Sequence, residues 1–242
     1  MKTGIITVLL AAAIVGCGDN LYAQTAIHKP APAETRRATP YADLVERHQR
    51  GDRQALRIRE DVDRHRLWVL ALEHVYVYDT RKLTLIRRIR LPGWSVADFM
   101  CPPDLALDRR GNAFVSNNVQ PRLLQIIPAS FQKKEHQLTL ISAKRWEVGF
   151  GALAFGSDGT LFALTGLAGS LFKIDLASGN ATEIALSEPV IEACTLASAR
   201  QSTPPTEHRA VSLCVSFERR SRRVDISADL TRGQVTNESC DG

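Results

Sequence analysis

The 242-residue sequence is poor in the patterns that announce chemistry. It has no C-x-x-C, no C-x-x-C-H and no cysteine–histidine spacing of the zinc type, which sets aside thioredoxin-like redox work, haem attachment and zinc modules. It has no G-x-S-x-G, and no Ser/His/Asp order stands out. The glycines of "VGFGALAF" run into an apolar strand rather than a helix, so Gly149 and Gly151 do not make a phosphate loop. Aromatic residues form only 6% of the chain and are not interleaved with its basic runs, "IRRIR" (Ile86–Arg90) and "ERRSRR" (Glu218–Arg223). Without such stacking platforms, the net charge of +5 does not read as a nucleic-acid interface. The basic residues read as solvated strand faces, with contact to anionic lipid or glycan as the alternative.

Long apolar runs are lacking too. The longest, "IITVLLAAAIV" from Ile5 to Val15, is far short of the about 20 residues that cross a bilayer. With Lys2 before it, this run reads as a signal segment over residues 1–23. Two cut sites compete. "IVGC" ending at Cys17 resembles the lipobox of bacterial lipoproteins, whose cysteine is lipidated; the other follows Ala23. Both send the chain out of the cytoplasm, to the periplasm or to a lipid anchor on the outer membrane. There Cys101, Cys194, Cys214 and Cys240 are disulfide candidates, with three pairings open. Cys194 with Cys214 is favoured, because a hairpin pairing Ser198 with Ala210 sets the two side by side.

Residues 24–53 divide into a tether and a short helix. "QTAIHKPAPAETRRATP" has proline and charge but no apolar period. "TPYADLVERHQRG" has Thr39 as N-cap, Pro40 in the first turn and Gly51 as a stop. Tyr41, Leu44, Val45 and His48 then share one face, which must dock against something.

From residue 54 to 242 the grammar is short strands broken by Gly, Asp, Asn and Pro, and the strands repeat. "ALDRRGNAFVSN" aligns without a gap on "AFGSDGTLFALT", placing Gly111 on Gly159 and Phe114 on Phe162. "DVDRHRLWVLA" fits upstream with a turn one residue shorter, and "RAVSLCVSF" holds the same place downstream. Third strands follow at "HVYVYD", "RLLQII", "SLFKID" and "RRVDIS", and fourth strands at "LTLIRRIRL", "HQLTLIS", "ATEIALS" and "GQVTNES". Four strands in about 47 residues is the period of a propeller blade. A four-stranded sheet that is apolar on both faces needs a neighbour on each side, and radial stacking supplies them. The expected fold is therefore all-β, a β-propeller or propeller-like arc of about four four-stranded blades preceded by a short helix.

The strings "CPPDLALDRRGNAFVSN" and "GALAFGSDGTLFALTGLAGSLFKIDLASG" resemble blades of the secreted bacterial β-propeller superfamily. That group includes the NHL-type and YVTN-type repeats, with yellow/royal-jelly and gluconolactonase-like relatives. The Trp-Asp dipeptide of the WD class is missing. Such proteins usually have six or seven blades; about four leaves a closed ring, an open arc and a homodimer as alternatives. The resemblance implies a central channel lined by the first strand of each blade, with Asp98, Asp104, Asn117 and Glu192 near its mouth. Such oxygens suit a divalent cation such as calcium, although Arg57 or Arg59 stands where the gluconolactonase-like enzymes want Glu. No catalytic residue is assigned. The preferred function is a cell-envelope binding or scaffold propeller for a protein or glycan partner. The alternative is a metal-dependent lactonase or hydrolase acting on a small molecule in the channel.

Overall fold

A computed structural model describes residues 55–236, apart from 97–98, 100, 143–148, 192, 199–210, 218–219 and 227–230. The signal segment, the tether, the short helix and Cys17 and Cys240 lie outside the described residues, as do Asp98 and Glu192. The described part is all-β.

Four antiparallel meanders of four strands follow one another. The first is β1 (Arg57–Asp61), β2 (Arg66–Leu70), β3 (His74–Asp79) and β4 (Thr84–Arg90). The second is β5 (Leu105–Leu107), β6 (Ala113–Ser116), β7 (Arg122–Ile126) and β8 (Lys133–Gln137). A short β9 (Thr139–Ile141) leads to the third, β10 (Ala152–Phe155), β11 (Leu161–Leu164), β12 (Leu171–Asp175) and β13 (Asn180–Leu186). The fourth is β14 (Thr195–Ser198), β15 (Val211–Phe217), β16 (Arg220–Ile226) and β17 (Arg232–Thr236).

The repeat is visible in the turns between first and second strands. Gly111 and Gly159 take the same left-handed conformation, with φ of +77° and +87°. In the first blade the turn is one residue shorter, as the sequence alignment requires, and His65 takes the left-handed position at φ +50°. A glycine fits there without steric cost, whereas a side chain such as His65 is uncommon.

The blades pack face to face through apolar layers. Trp68, Leu70, Val75 and Val77 of the first meet Leu105, Val115, Leu124 and Ile126 of the second. Ala106, Phe114 and Leu123 of the second meet Leu153, Leu161, Ala163 and Phe172 of the third. Phe162, Leu164, Leu171 and Ile184 of the third meet Leu196, Leu213, Val215 and Val224 of the fourth. The strand period of two puts these sets on opposite faces of each middle blade, which is why their inner strands are apolar throughout. The inner strands touch in the order β1, β5, β10, β14.

The fourth strand of the second blade differs from the expected "HQLTLIS". The outer strand is Lys133–Gln137, and the chain leaves it at Leu138, which is buried and whose N–H donates to Pro121 O at 2.8 Å. β9 then pairs in parallel with β13 of the next blade. Burial of Leu138 between the two blades outweighs continuation of a polar edge. A second parallel pair, Ala185 with Arg232 and Leu186 with Gly233, joins the outer strands of the third and fourth blades.

Candidate functional site

The centre of the inner strands is built around Asp104, which precedes β5 and is completely buried. Its Oδ1 accepts hydrogen bonds from Leu105 N at 2.7 Å, Arg57 Nε at 3.1 Å and Arg59 Nη2 at 3.2 Å. Its Oδ2 accepts from Leu153 N of the third blade at 2.8 Å. Arg57 donates further, through Nη2 to Cys194 O before the fourth blade at 2.7 Å and through Nη1 to Leu56 O at 2.8 Å. One carboxylate and one guanidinium thus tie together the chain at all four inner strands. Burial pushes the Asp104 carboxyl above its ordinary value, while the Arg59 and Arg57 charges and the amides of Leu153 and Leu105 pull it back.

Arg57 and Arg59 come from alternate positions of β1, so both project to the face that also carries Trp68 and Leu70. The sequence showed these arginines in place of an expected Glu; the structure shows what they do there.

Asn117 and Asn118 follow β6 and are buried. Asn117 Oδ1 accepts from Val119 N at 2.9 Å and Gln120 N at 2.8 Å, and its Nδ2 donates to Trp94 O. Asn118 Oδ1 accepts from Val96 N at 3.1 Å, and its Nδ2 donates to Val96 O at 2.6 Å and Cys101 O at 3.0 Å. Trp94 Nε1 donates to Ser116 O at 2.9 Å, with the Arg122 guanidinium 4.5 Å above its ring. The two asparagines therefore fasten the segment between the first and second blades to the end of β6. In the third blade the equivalent residues are Thr165 and Gly166. Thr165 Oγ1 only closes its own turn by accepting from Ser170 N at 3.1 Å.

Gly166 has another use. A Cβ there would lie 2.8 Å from Cys101 Sγ, and one on Gly151 would lie 2.4 Å from Cys101 Cβ. Both glycines make room for the disulfide Cys101–Cys194, whose Cα atoms are 5.2 Å apart. This corrects the expected pairing of Cys194 with Cys214. The β14–β15 register sets Ala197 opposite Cys214 and Ser198 opposite Leu213, a shift of three residues from the register that pairing needs. Cys214 is itself disulfide-bonded, and Cys17 and Cys240 lie outside the described residues. Gly149 serves a similar end. A Cβ on it would sit 2.1 Å from Asn117 O, to which Phe150 N donates at 2.9 Å.

Of the four residues expected near a channel mouth, the structure places Asp104 and Asn117. Their side-chain oxygens accept from protein donors. Among the described residues no group of three or more His, Cys, Asp or Glu side chains is arranged to hold a metal ion. What sequence reasoning missed was the supporting cast: Trp94 and the space-making glycines. The departure of Asn117-Asn118 from the repeat was the signal available.

Away from the centre, a groove of about 580 Å³ opens near the turns of the third blade. Phe155, Thr160, Lys173 and Thr182 line it together with Thr231 of the fourth blade. This mix of the Lys173 cation, the Asp175 carboxylate, hydroxyls and an aromatic ring is of a size that holds small polar ligands.

No family model matches the sequence, and no curated protein matches it. Solved structures do. A streptogramin B lyase superposes with a TM-score of 0.55 at 11% identity, over 76% of this chain and 54% of that one. Virginiamycin B lyase from Staphylococcus aureus gives 0.52 at 15%, over 77% and 55%. An auxiliary nutrient binding protein from Bacteroides ovatus gives 0.50 at 12%, over 77% and 42%. The chain spans about half the length of the two lyases. At these identities the likeness is one of fold, and the fold is that of β-propeller proteins.

Proposed function

We propose that this protein is an exported, non-catalytic binding or scaffold propeller of the cell envelope, held on the membrane by a lipidated Cys17, with a protein or glycan partner there. The observation that carries this reading is the state of Asp104. Its two oxygens receive four donors from three inner strands, so the most buried carboxylate among the described residues is spent on joining blades. A carboxylate so engaged holds a scaffold together; releasing it to bind a cation would leave two guanidiniums facing each other. The polar groove by Lys173 and Thr182 is the surface best suited to a small polar group of the partner, such as a sugar. Its polar lining residues Thr160, Lys173 and Thr182 lie outside the apolar blade layers.

The test has two arms. The purified chain is titrated with a panel of bacterial envelope oligosaccharides by calorimetry, with wild type and Lys173→Ala compared. Binding that weakens about tenfold in the variant, roughly the loss of one charged hydrogen bond, supports the reading. The second arm is metal analysis with a lactone hydrolysis assay. A stoichiometric divalent cation lost on Asp104→Ala, together with lactone turnover, rejects the scaffold in favour of the hydrolase alternative. For the anchor, labelled palmitate incorporation that persists in Cys17→Ala rejects the lipobox.

A further inference from the structure

The two ends of the blade series are unlike. The far face of the fourth blade, turned away from the third, carries Thr195 and Ala197 on β14, Ser212 on β15, Asp225 on β16 and Gln234 on β17. Thr195, Ala197 and Gln234 are exposed, and Ser212 Oγ donates to Asp225 Oδ1 at 2.5 Å. This is a polar terminal face of the sort that ends a repeat array. The far face of the first blade is the reverse. Leu67, Val69, Ala71 and Tyr76 are apolar and only 0%, 1%, 5% and 2% exposed. Among the described residues, Ala55, Ile58 and Tyr78 alone join them in that cluster.

Side chains at one edge of a four-stranded sheet cannot reach such burial by their own strand neighbours, because a sheet covers its faces only with a second layer. The polar fourth blade does not supply that layer. A second copy of the chain does not either, since the burial exists within one chain and leaves little apolar area there for a partner to cover.

We propose that residues 39–51 form the amphipathic helix that caps this face, with Tyr41, Leu44, Val45 and His48 lying on Leu67, Val69, Ala71 and Tyr76. Three observations converge. The chain arrives from this side: Ala55 belongs to the buried cluster, and Leu56 N donates to Leu70 O at 2.7 Å, alongside the face. The segment has an apolar face and an N-cap, Thr39, followed by Pro40. Its length fits. Thirteen helical residues extend about 20 Å, and four strands at about 4.8 Å spacing span about 14 Å. The helix thus does for the first blade what polar side chains do for the last, and the arc ends without an exposed apolar face.

Two measurements on the full chain test this. In the first, Leu44→Asp with Val45→Asp is compared with Glu46→Gln, which lies on the opposite face of the helix. The double variant is expected to raise amide exchange in residues 66–79 about tenfold or more and to bind an apolar dye, while exchange in the third blade and in Glu46→Gln stays at the wild-type level. Equal exchange in all three proteins overturns the proposal. In the second, a photoreactive phenylalanine analogue replaces Leu44 in an otherwise unchanged chain, which guards against a double variant that merely fails to fold. Intramolecular cross-links to residues 67–78 are expected. Cross-links to a second copy, or to the C-terminal residues instead, overturn it.

Discussion

Asp104 concentrates more of this molecule's polar structure than any other described side chain. Asp104→Ala removes the acceptor for Arg57, Arg59 and two backbone amides at once, in a completely buried position. Arg59 is 34% exposed and re-solvates easily, whereas Arg57, at 15%, does not. The expected loss is about 3 kcal/mol, the range seen when one partner of a buried ion pair is deleted, measured by urea unfolding followed by tryptophan fluorescence. A loss within error of an exposed control such as Glu188→Ala contradicts the role given to it. A gentler case lies in the turn after β12. There Ser178 Oγ donates to Asp175 Oδ2 at 2.7 Å and Ala177 N to Oδ1 at 2.9 Å, and these bonds hold the carboxyl below its ordinary value. A depressed acid adds to stability above its unfolded pKa, and that share is lost as the pH falls through the lowered folded one. Ser178→Ala is expected to raise the Asp175 midpoint in a carboxyl NMR titration; an unchanged midpoint removes Ser178 as the main cause.

Between strands, the Cys101–Cys194 bond joins the segments that lead into the second and fourth blades. It closes a loop with a sequence separation of 93, so in the chain-entropy account it restrains the unfolded state by about 4–5 kcal/mol. Cys101→Ala with Cys194→Ala is expected to lose that stability, read from unfolding midpoints without reductant. If wild type under reductant and the double variant both keep the oxidised wild-type midpoint, the bond is idle. The bond leans on elements that contribute no chemistry. Gly151 and Gly166 leave room for its sulfur and Cβ, and Asn118 holds the Cys101 carbonyl. A bond of this kind cannot be inferred from cysteine spacing, because it depends on which inner strands become neighbours.

For the molecule as a unit, the outcome hinges on what its two ends present. The exposed Thr195, Ala197 and Gln234 make the far face of the fourth blade polar, so among the described residues it offers no second apolar face to bury. Thr195→Leu with Ala197→Leu is expected to increase association with rising concentration relative to wild type, as sedimentation velocity would record. Wild type that already self-associates, and is dispersed by changes on this face, rejects the assignment of this face as the terminal one. The outer strand of the first blade shows the same management by charge. Leu85 and Ile86 are 49% and 41% exposed there, but Arg87, Arg88 and Arg90 flank them and blunt the edge.

Much of the fold could be read from the chain because its signals are local. The two-residue period, the turn glycines at 111 and 159 and the repeat of about 47 residues each depend on neighbours in sequence. They place the strands, the shorter first turn and the all-β class. They fail where the deciding contact is distant. The chain leaves the second blade at Leu138 because a pocket between blades accepts that side chain. Asp104 meets Arg57 from 47 residues away, and Cys101 meets Cys194 from 93. Asn117 was read as a channel-mouth residue, and the structure shows it and its neighbour Asn118 holding a segment 17 to 23 residues upstream. Local stereochemistry and apolar period sufficed for the blades. Which polar groups are spent inside, and which stay at the surface, was settled only when packing brought the inner strands together.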